Sequence, residues 1–369
     1  MSGPLELLIK NQNIIQGKDV LVTGYIDEPE ITNILVPVTN YCHLWLTDYI
    51  IFNKITSFTQ LNDSIKNYGQ FSKTVLNSTN NMRISFSSTP YSANNEPVYN
   101  SALIFISKSK TENEQYFKET VLKLQPGNDI YVIGPNDGGI RGFEKTIKQY
   151  APVETFDTAR KCRLLHMLCS QELITTVSAL SLSKKYELYG NNGKIHFFVT
   201  SLPGVYCNDR LDEGTRLLLS YLDHHDLSKC KSILDAGTGS GVIAIYLKKM
   251  YPDAVVSGCD INAFALESGQ NNSSKANTEV NFFPNDMLEN TDRYKLIISA
   301  PPFNPGLKDL TTAAKKLISE AEKHLSTNGK LIIVANAFLP YEKMLLSVFN
   351  EVKTPTIIGN YKIYEVLKK

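Results

Sequence analysis

The segment "SILDAGTGSGVIAIYLKK", residues 232–249, limits what the chain can become more than any other. A short apolar run meets three glycines at alternate positions and then resumes with apolar residues at helical spacing. That pattern predicts a strand, a sharp turn and a helix, the opening of a βαβ unit. Gly237, Gly239 and Gly241 allow a tight turn and let a ligand approach without meeting a Cβ. Further on, "AVVSGCDIN" predicts a second strand ending in Asp260 and Ile261, where an acid 23 residues after Gly237 can hold ribose hydroxyls. "VNFFPNDMLEN" predicts a third strand with Asn285 and Asp286 at its end, suited to the polar edge of an adenine. "YKLIIS" predicts a fourth. In an α/β, doubly wound sheet these ends lie together, because ligands bind outside the carboxyl ends of the strands at the switch point.

The glycine pattern is D-x-G-x-G-x-G, with Asp235 on the strand itself and Thr238 inside the turn. A dinucleotide fingerprint is G-x-G-x-x-G and places a pyrophosphate at the helix N-terminus. An acid beside the loop suits instead a ligand bearing a cationic amino group, which favours S-adenosylmethionine over NAD.

The fourth strand runs into residues 299–306, "SAPPFNPG". Pro301 and Pro302 fix a rigid turn with set carbonyl directions, and by itself such a turn reads as no more than a strand stop. Beside a nucleoside pocket it can do more. A ring-bound amino group is a poor nucleophile, so a site that methylates it should accept its N–H hydrogens and hold the base flat. A carbonyl directed by Pro301 can accept one hydrogen, and Phe303 can stack on the base. Ala300 offers no side-chain acceptor.

Composition sets outer limits. A chain of 369 residues suits two domains, and 42% hydrophobic with 20% charged residues is ordinary for a globular protein. No run approaches a membrane span, and "MSGPLELLIKNQ" has no secretory character, so cytoplasmic residence is expected. The six cysteines are scattered, which predicts reduced thiols and no metal. With 38 basic against 37 acidic residues, any nucleic-acid footprint must be local. One candidate is "ARKCRLLH", residues 159–166, read as a solvated helix face carrying Arg160, Lys161 and Arg163.

The turn resembles the N-P-P-F/Y motif of methyltransferases acting on exocyclic amino groups. The wider sequence is similar to the ribosomal small-subunit methyltransferase C family through "LPGVY", "LDEGTRLLLSYL", "DAGTGSGV", "IISAPPF", "GKLIIVANAFLPY" and "YKIYEV". The resemblance implies two tandem Rossmann-like methyltransferase domains, the first degenerate. It implies S-adenosylmethionine as cofactor, a guanine N2 amine of 16S rRNA in the small ribosomal subunit as target, and residues 300–303 as the catalytic turn. It also implies asparagine where Ala300 stands. Two rival readings remain: an RNA-binding or assembly protein that has lost turnover, and a methyltransferase acting on DNA or protein amides.

Residues 101–150 repeat the strand and helix order of the later half, as a duplicated fold would. The first copy has no glycine triplet after "DVLVTGYIDEPE", and "SKSK" replaces the proline turn. The expected division is a degenerate domain, 1–185, and a catalytic domain, 196–369, with a polar connector near 180–196. The first domain supports the second, or positions RNA through Lys108, Lys110, Arg141, Lys145, Arg160 and Arg163. A monomer is expected.

Overall fold

The computed structural model describes residues 1–61, 66–68, 72–76, 81–90, 98–206, 209–301 and 308–369. The chain divides into two compact units, Met1–Leu182 and Ser183–Lys369, each with its own large sheet.

The first unit contains strands β1 (Asp19–Gly24), β2 (Tyr41–Leu46), β3 (Lys66–Tyr68), β4 (Ser72–Leu76), β5 (Met82–Phe86), β6 (Ser101–Phe105), β7 (Asp129–Pro135), β8 (Glu154–Ala159) and β9 (Cys162–Leu168). Its helices are α1 (Gly3–Lys10), α2 (Ile31–Leu35), α3 (Tyr49–Phe58), α4 (Lys110–Val121), α5 (Ile140–Ile147) and α6 (Gln171–Ser178). The sheet order is β3-β4-β5-β2-β1-β6-β7-β9-β8. Strands β5 to β7 are parallel neighbours and β9 and β8 close the edge antiparallel.

In the second unit β10 (Lys184–Gly190) and β11 (Ile195–Ser201) pair as a separate antiparallel hairpin. Then follow α7 (Glu213–Asp223), β12 (Ser232–Ala236), α8 (Val242–Met250), β13 (Val255–Asp260), α9 (Ala263–Lys275), β14 (Val280–Pro284), β15 (Tyr294–Ser299), α10 (Lys308–His324), β16 (Leu325–Asn336), α11 (Tyr341–Leu346), β17 (Lys353–Ile358) and β18 (Tyr361–Leu367). Their order is β14-β13-β12-β15-β16-β18-β17. Set beside it, β5-β2-β1-β6-β7-β9-β8 of the first unit has the same order of crossovers. The duplicated architecture is therefore real, with the β3–β4 hairpin added at one edge of the first copy.

The central strands of the second sheet are buried on both faces, so they read as continuous apolar runs, "LII" in β15 and "LIIV" in β16. Helix α9 starts where Asn262 Oδ1 accepts the Phe264 N–H at 2.8 Å, a side-chain cap that sets its entry angle.

Two expectations fail locally. Residues 159–166 are not a helix face: Ala159 pairs with Cys162, and Arg160 and Lys161 form the two-residue turn between β8 and β9, with φ of 53° and 60°. Two long basic residues hold a left-handed turn that asparagine and glycine usually occupy, so sequence propensity pointed away from it. Residues 184–190, expected within a connector, form β10, because its partner β11 buries Ile195, Phe197 and Val199 on one face and leaves the other in water.

Candidate active site

The chain leaving β12 turns toward β13. The N–H groups of Gly237 and Thr238 both donate to Cys259 O at 2.9 Å, drawing the glycine loop away from β15. The crevice between β12 and β15 thus opens at the switch point, bridged at its base by buried Ser299, whose Oγ donates to Ala236 O at 2.7 Å. The first unit does the reverse. There Tyr25 N–H donates to Phe105 O at 3.1 Å, and a Cβ on Gly24 would stand 1.8 Å from that oxygen, so the ends of β1 and β6 are sealed together. The same sheet order carries one open crevice and one closed one.

Asp235 is fully buried at the head of the open crevice. Its Oδ2 accepts Thr238 Oγ1 at 2.6 Å and the Ala244 N–H at 3.2 Å, while Oδ1 has no hydrogen-bond partner. Burial pushes the carboxyl up to about 7 against those two hydrogen bonds, and the Asp260 charge adds to the rise. Leaving one carboxylate oxygen buried and unpartnered is costly. A cationic amino group is the chemistry that would satisfy it.

Asp260, half-buried at the end of β13, joins the second strand to the loop. Its Oδ2 accepts the Gly239 N–H at 2.9 Å and Oδ1 accepts the Asn262 N–H at 3.0 Å; burial holds the group above the usual carboxylate range. Gly239 itself has φ of 55°, and no atom lies within 4 Å of where its Cβ would be. The loop is open on that side, a cradle that a side chain would fill.

The remaining predicted residues fall into three groups. Ile261 is half-buried beside Asp260, and Asn285 follows β14 with its N–H donating to Asp260 O at 3.1 Å. These join the crevice. Gly241 caps α8 but faces protein: a Cβ there would meet Phe282 Cζ at 2.9 Å, and Gly258 and Gly269 close on the same ring. Its smallness serves helix–sheet packing. Asp286 is engaged by Lys316 of α10, whose Nζ lies 2.6 Å from Asp286 Oδ2 and 2.8 Å from Glu289 Oε2. Partial burial opposes the ammonium's charge, yet the two carboxylates hold it above its ordinary range.

Of the turn expected to be catalytic, Ala300 is half-buried and Pro301 buried where β15 ends; Pro302 and Phe303 lie outside the described residues. Sequence reasoning missed Ser299 and Lys316. The first stands next to the turn in the sequence, whereas the Lys316 pairing spans 30 residues and left no local signal.

The six cations proposed for RNA in the first unit differ in how freely they face solvent. Arg160 Nε pairs with Glu6 at 2.8 Å, and Arg163 pairs with Glu144 at 3.1 Å and donates to Asn136 Oδ1. Lys110 stands 3.8 Å from Glu114. Lys108, Arg141 and Lys145 are exposed with no ion pair among the described residues. Among the described residues no group of His, Cys, Asp or Glu could hold a metal ion, and no helix is long and apolar enough to cross a membrane.

Comparison with known proteins matches residues 196–365 to the methyltransferase small domain and residues 6–186 to the methyltransferase small domain N-terminal family. The ribosomal RNA small subunit methyltransferase C of Psychromonas ingrahamii is 31% identical over 375 residues, covering 100% of this chain and 97% of the relative. That of Serratia proteamaculans is 37% identical over 260 residues, 70% of this chain and 72% of the relative. A solved 16S rRNA N2 guanine methyltransferase of Thermus thermophilus, in complex with AdoMet and guanosine, superposes with a TM-score of 0.75. It covers 99% of this chain and 92% of its own, and at 18% identity the likeness shows the fold.

Proposed function

Because the chain belongs to the ribosomal RNA small subunit methyltransferase C family, we infer that it methylates the exocyclic N2 amine of a guanine in 16S rRNA, using S-adenosylmethionine. The observation that carries the cofactor assignment is the buried, unpartnered Oδ1 of Asp235 beside the open cradle of Gly239. The pair fits a ligand with a cationic amino group at one end and a body passing over a glycine.

Asp235 would receive the amino group, the backbone of Gly237, Thr238 and Gly239 the ligand's body, and Asp260 with Ile261 the ribose. Asn285 and Asp286 would meet the adenine edge, Asp286 with its charge offset by Lys316. The cofactor supplies an electrophilic methyl on a sulfonium. The protein's share is to align the guanine amine with it. With the cofactor bound, the N2 amine held in line would be the group that receives the methyl, and it would give up one proton to water. The Pro301 carbonyl accepts one amine hydrogen and Phe303 holds the base flat, so alignment rather than a strong base provides the acceleration. With Ala300 in place of the asparagine that the family resemblance implies, one acceptor is missing, and turnover is slower than an asparagine would allow.

The first unit, with its crevice sealed, binds no cofactor on this reading. It supports the second and positions RNA, through Lys108, Arg141 and Lys145 more than through the ion-paired Arg160 and Arg163. The working partner is 16S rRNA or the small ribosomal subunit, which places the protein in the cytoplasm. Transfer of labelled methyl from S-adenosylmethionine to small subunits or 16S rRNA, located at a guanine N2 by nucleoside analysis, tests the proposal; label on no RNA would overturn it.

A further inference from the structure

The β10–β11 hairpin buries one face and leaves the other in water. Its inward residues Leu188, Ile195, Phe197 and Val199 supply the apolar contact that holds it to its unit. Outward, Tyr189 and Phe198 keep 64% and 41% of their surface exposed, although both are large rings. Between them His196, paired across the strands with Tyr189, stacks on that ring at 4.4 Å and 13° and meets Phe198 edge-on at 5.5 Å. Three rings thus form a continuous exposed row on a rigid two-stranded support.

Cations border the row. Lys185 Nζ sits 4.0 Å over the Phe198 ring. A shallow groove beside His196, Phe198 and Thr200 is completed by Lys249 and Lys275, from the last turns of α8 and α9. Lys275 is exposed, and Lys249 spends one hydrogen bond on Ala276 O at 2.9 Å. No carboxylate lines the groove; on the hairpin's outer face Glu187, directly across from Phe198, accepts the Tyr189 hydroxyl at 2.8 Å. In a chain whose net charge is only +1, three lysines around three exposed rings form a local concentration.

Exposed rings offer π faces to any base, and a lysine border tracks a phosphate backbone; together they make a stacking platform for single-stranded nucleic acid. A protein partner would be expected to bring apolar surface, and the lysine rim argues against it, whereas a polyanion with unstacked bases matches both features. We propose that the outer face of the β10–β11 hairpin binds a single-stranded stretch of RNA, bases against Tyr189, His196 and Phe198 and phosphates against Lys185 and Lys275. The platform lies at the C-terminal ends of α8 and α9, whereas the crevice residues lie at their N-terminal ends. It is therefore a second contact for the RNA substrate, and it rests on the RNA reading of the crevice for its partner.

The test uses the full chain and three variants: Tyr189→Ser with Phe198→Ser, Lys185→Glu with Lys275→Glu, and Tyr189→Trp. Binding of a fluorescein-labelled oligouridylate is followed by anisotropy across a salt series, S-adenosylmethionine affinity is measured as a control for folding, and methyl transfer to 16S rRNA is recorded for the parent. The serine pair should weaken RNA binding about tenfold or more with cofactor affinity unchanged, and tryptophan should retain it. The glutamate pair should make the slope of log K against log salt shallower by about 0.7 for each phosphate that is no longer neutralised.

Parental affinity in the serine pair overturns the inference and leaves methylation of rRNA standing. Weakened binding in the glutamate pair alone also overturns it, since the face would then be only a diffuse positive surface. If the serine pair binds RNA normally but loses intact small subunits, the platform docks a ribosomal protein and the inference falls. If the parent transfers no methyl to rRNA while the serine pair still loses RNA binding, the platform stands and the crevice reading falls.

Discussion

Replacing Asp235 with asparagine should make the cofactor-free protein more stable above about pH 7 and the proposed cofactor site worse. The carboxyl is raised from 3.8 to about 7 in the fold, so it gives stability that is complete below about pH 4 and is lost as pH rises through about 7. Above that, holding it ionised costs about 4 kcal/mol, at about 1.36 kcal/mol for each pH unit. Asparagine removes the charge and can keep both bonds now made to Oδ2, from Thr238 and Ala244. Its NH2 would replace the unpartnered Oδ1 and bury donors at a cost of about 1–3 kcal/mol, leaving a net gain of about 1–3 kcal/mol. For a unit of this size that is a rise of roughly 2–4 °C in Tm per kcal/mol. Thermal melts at pH 5 and 8.5 without cofactor, with calorimetric titration of S-adenosylmethionine, check both halves. The parent should lose stability between these pH values, the Asp235→Asn variant less so, and cofactor affinity should fall by about 1.5–3 kcal/mol in the variant. A variant that melts below the parent at pH 8.5, with the same pH slope, would refute the reasoning, because the ionised carboxylate would then be well solvated by its surroundings.

Four other outcomes follow from the same geometry. Ala300→Asn should raise single-turnover methyl transfer to 16S rRNA while leaving cofactor affinity nearly unchanged, since the added acceptor acts mainly in the transition state; equal rates would show that another group holds the second amine hydrogen. Asp260→Ala should weaken S-adenosylmethionine binding by roughly 1.5–3 kcal/mol by titration calorimetry, losing the proposed ribose acceptor and the tether on Gly239 together. Gly239→Val meets no protein atom, so denaturant unfolding should register only the backbone strain of about 1–2 kcal/mol, while titration finds cofactor binding abolished. Gly24→Ala in the first unit should unfold that unit at much lower denaturant, because its Cβ would overlap Phe105 O.

The crevice was readable because its parts lie at the ends of short apolar runs, and strand ends in a doubly wound sheet converge by topology. Asp235, Gly239, Asp260 and Asn285 all came together for that reason. What was hidden depended on distance or on unusual local chemistry. The Lys316–Asp286 pair joins α10 to the end of β14, and nothing around residue 316 marks it among neighbouring lysines. The Arg160–Lys161 turn uses residues that turn statistics disfavour. In β10, "KKYELYG" has one buried position, Leu188, so its alternation shows only once β11 is alongside. The sealed crevice of the first unit was legible as a missing glycine triplet, whereas its cause, one hydrogen bond to Phe105 O, was not.

The ring of Phe282 is fully buried against three glycines from three different elements, with hypothetical Cβ atoms at 2.9 Å for Gly241, 2.9 Å for Gly258 and 2.7 Å for Gly269. Each of these four positions is therefore free to vary only in concert with another. Gly269→Ala alone should destabilise by about 1–2 kcal/mol, since overpacking outweighs the helix preference for alanine. Exchanging the ring for leucine would leave room that an alanine at 269 could fill, so the double replacement should cost less than the sum of the singles. Among relatives, a larger residue at 269, where the Phe282 ring supplies all the nearest atoms, should accordingly accompany a smaller one at 282. The head of α8, and with it the outer limit of the glycine loop, is held in place by a side chain two strands away.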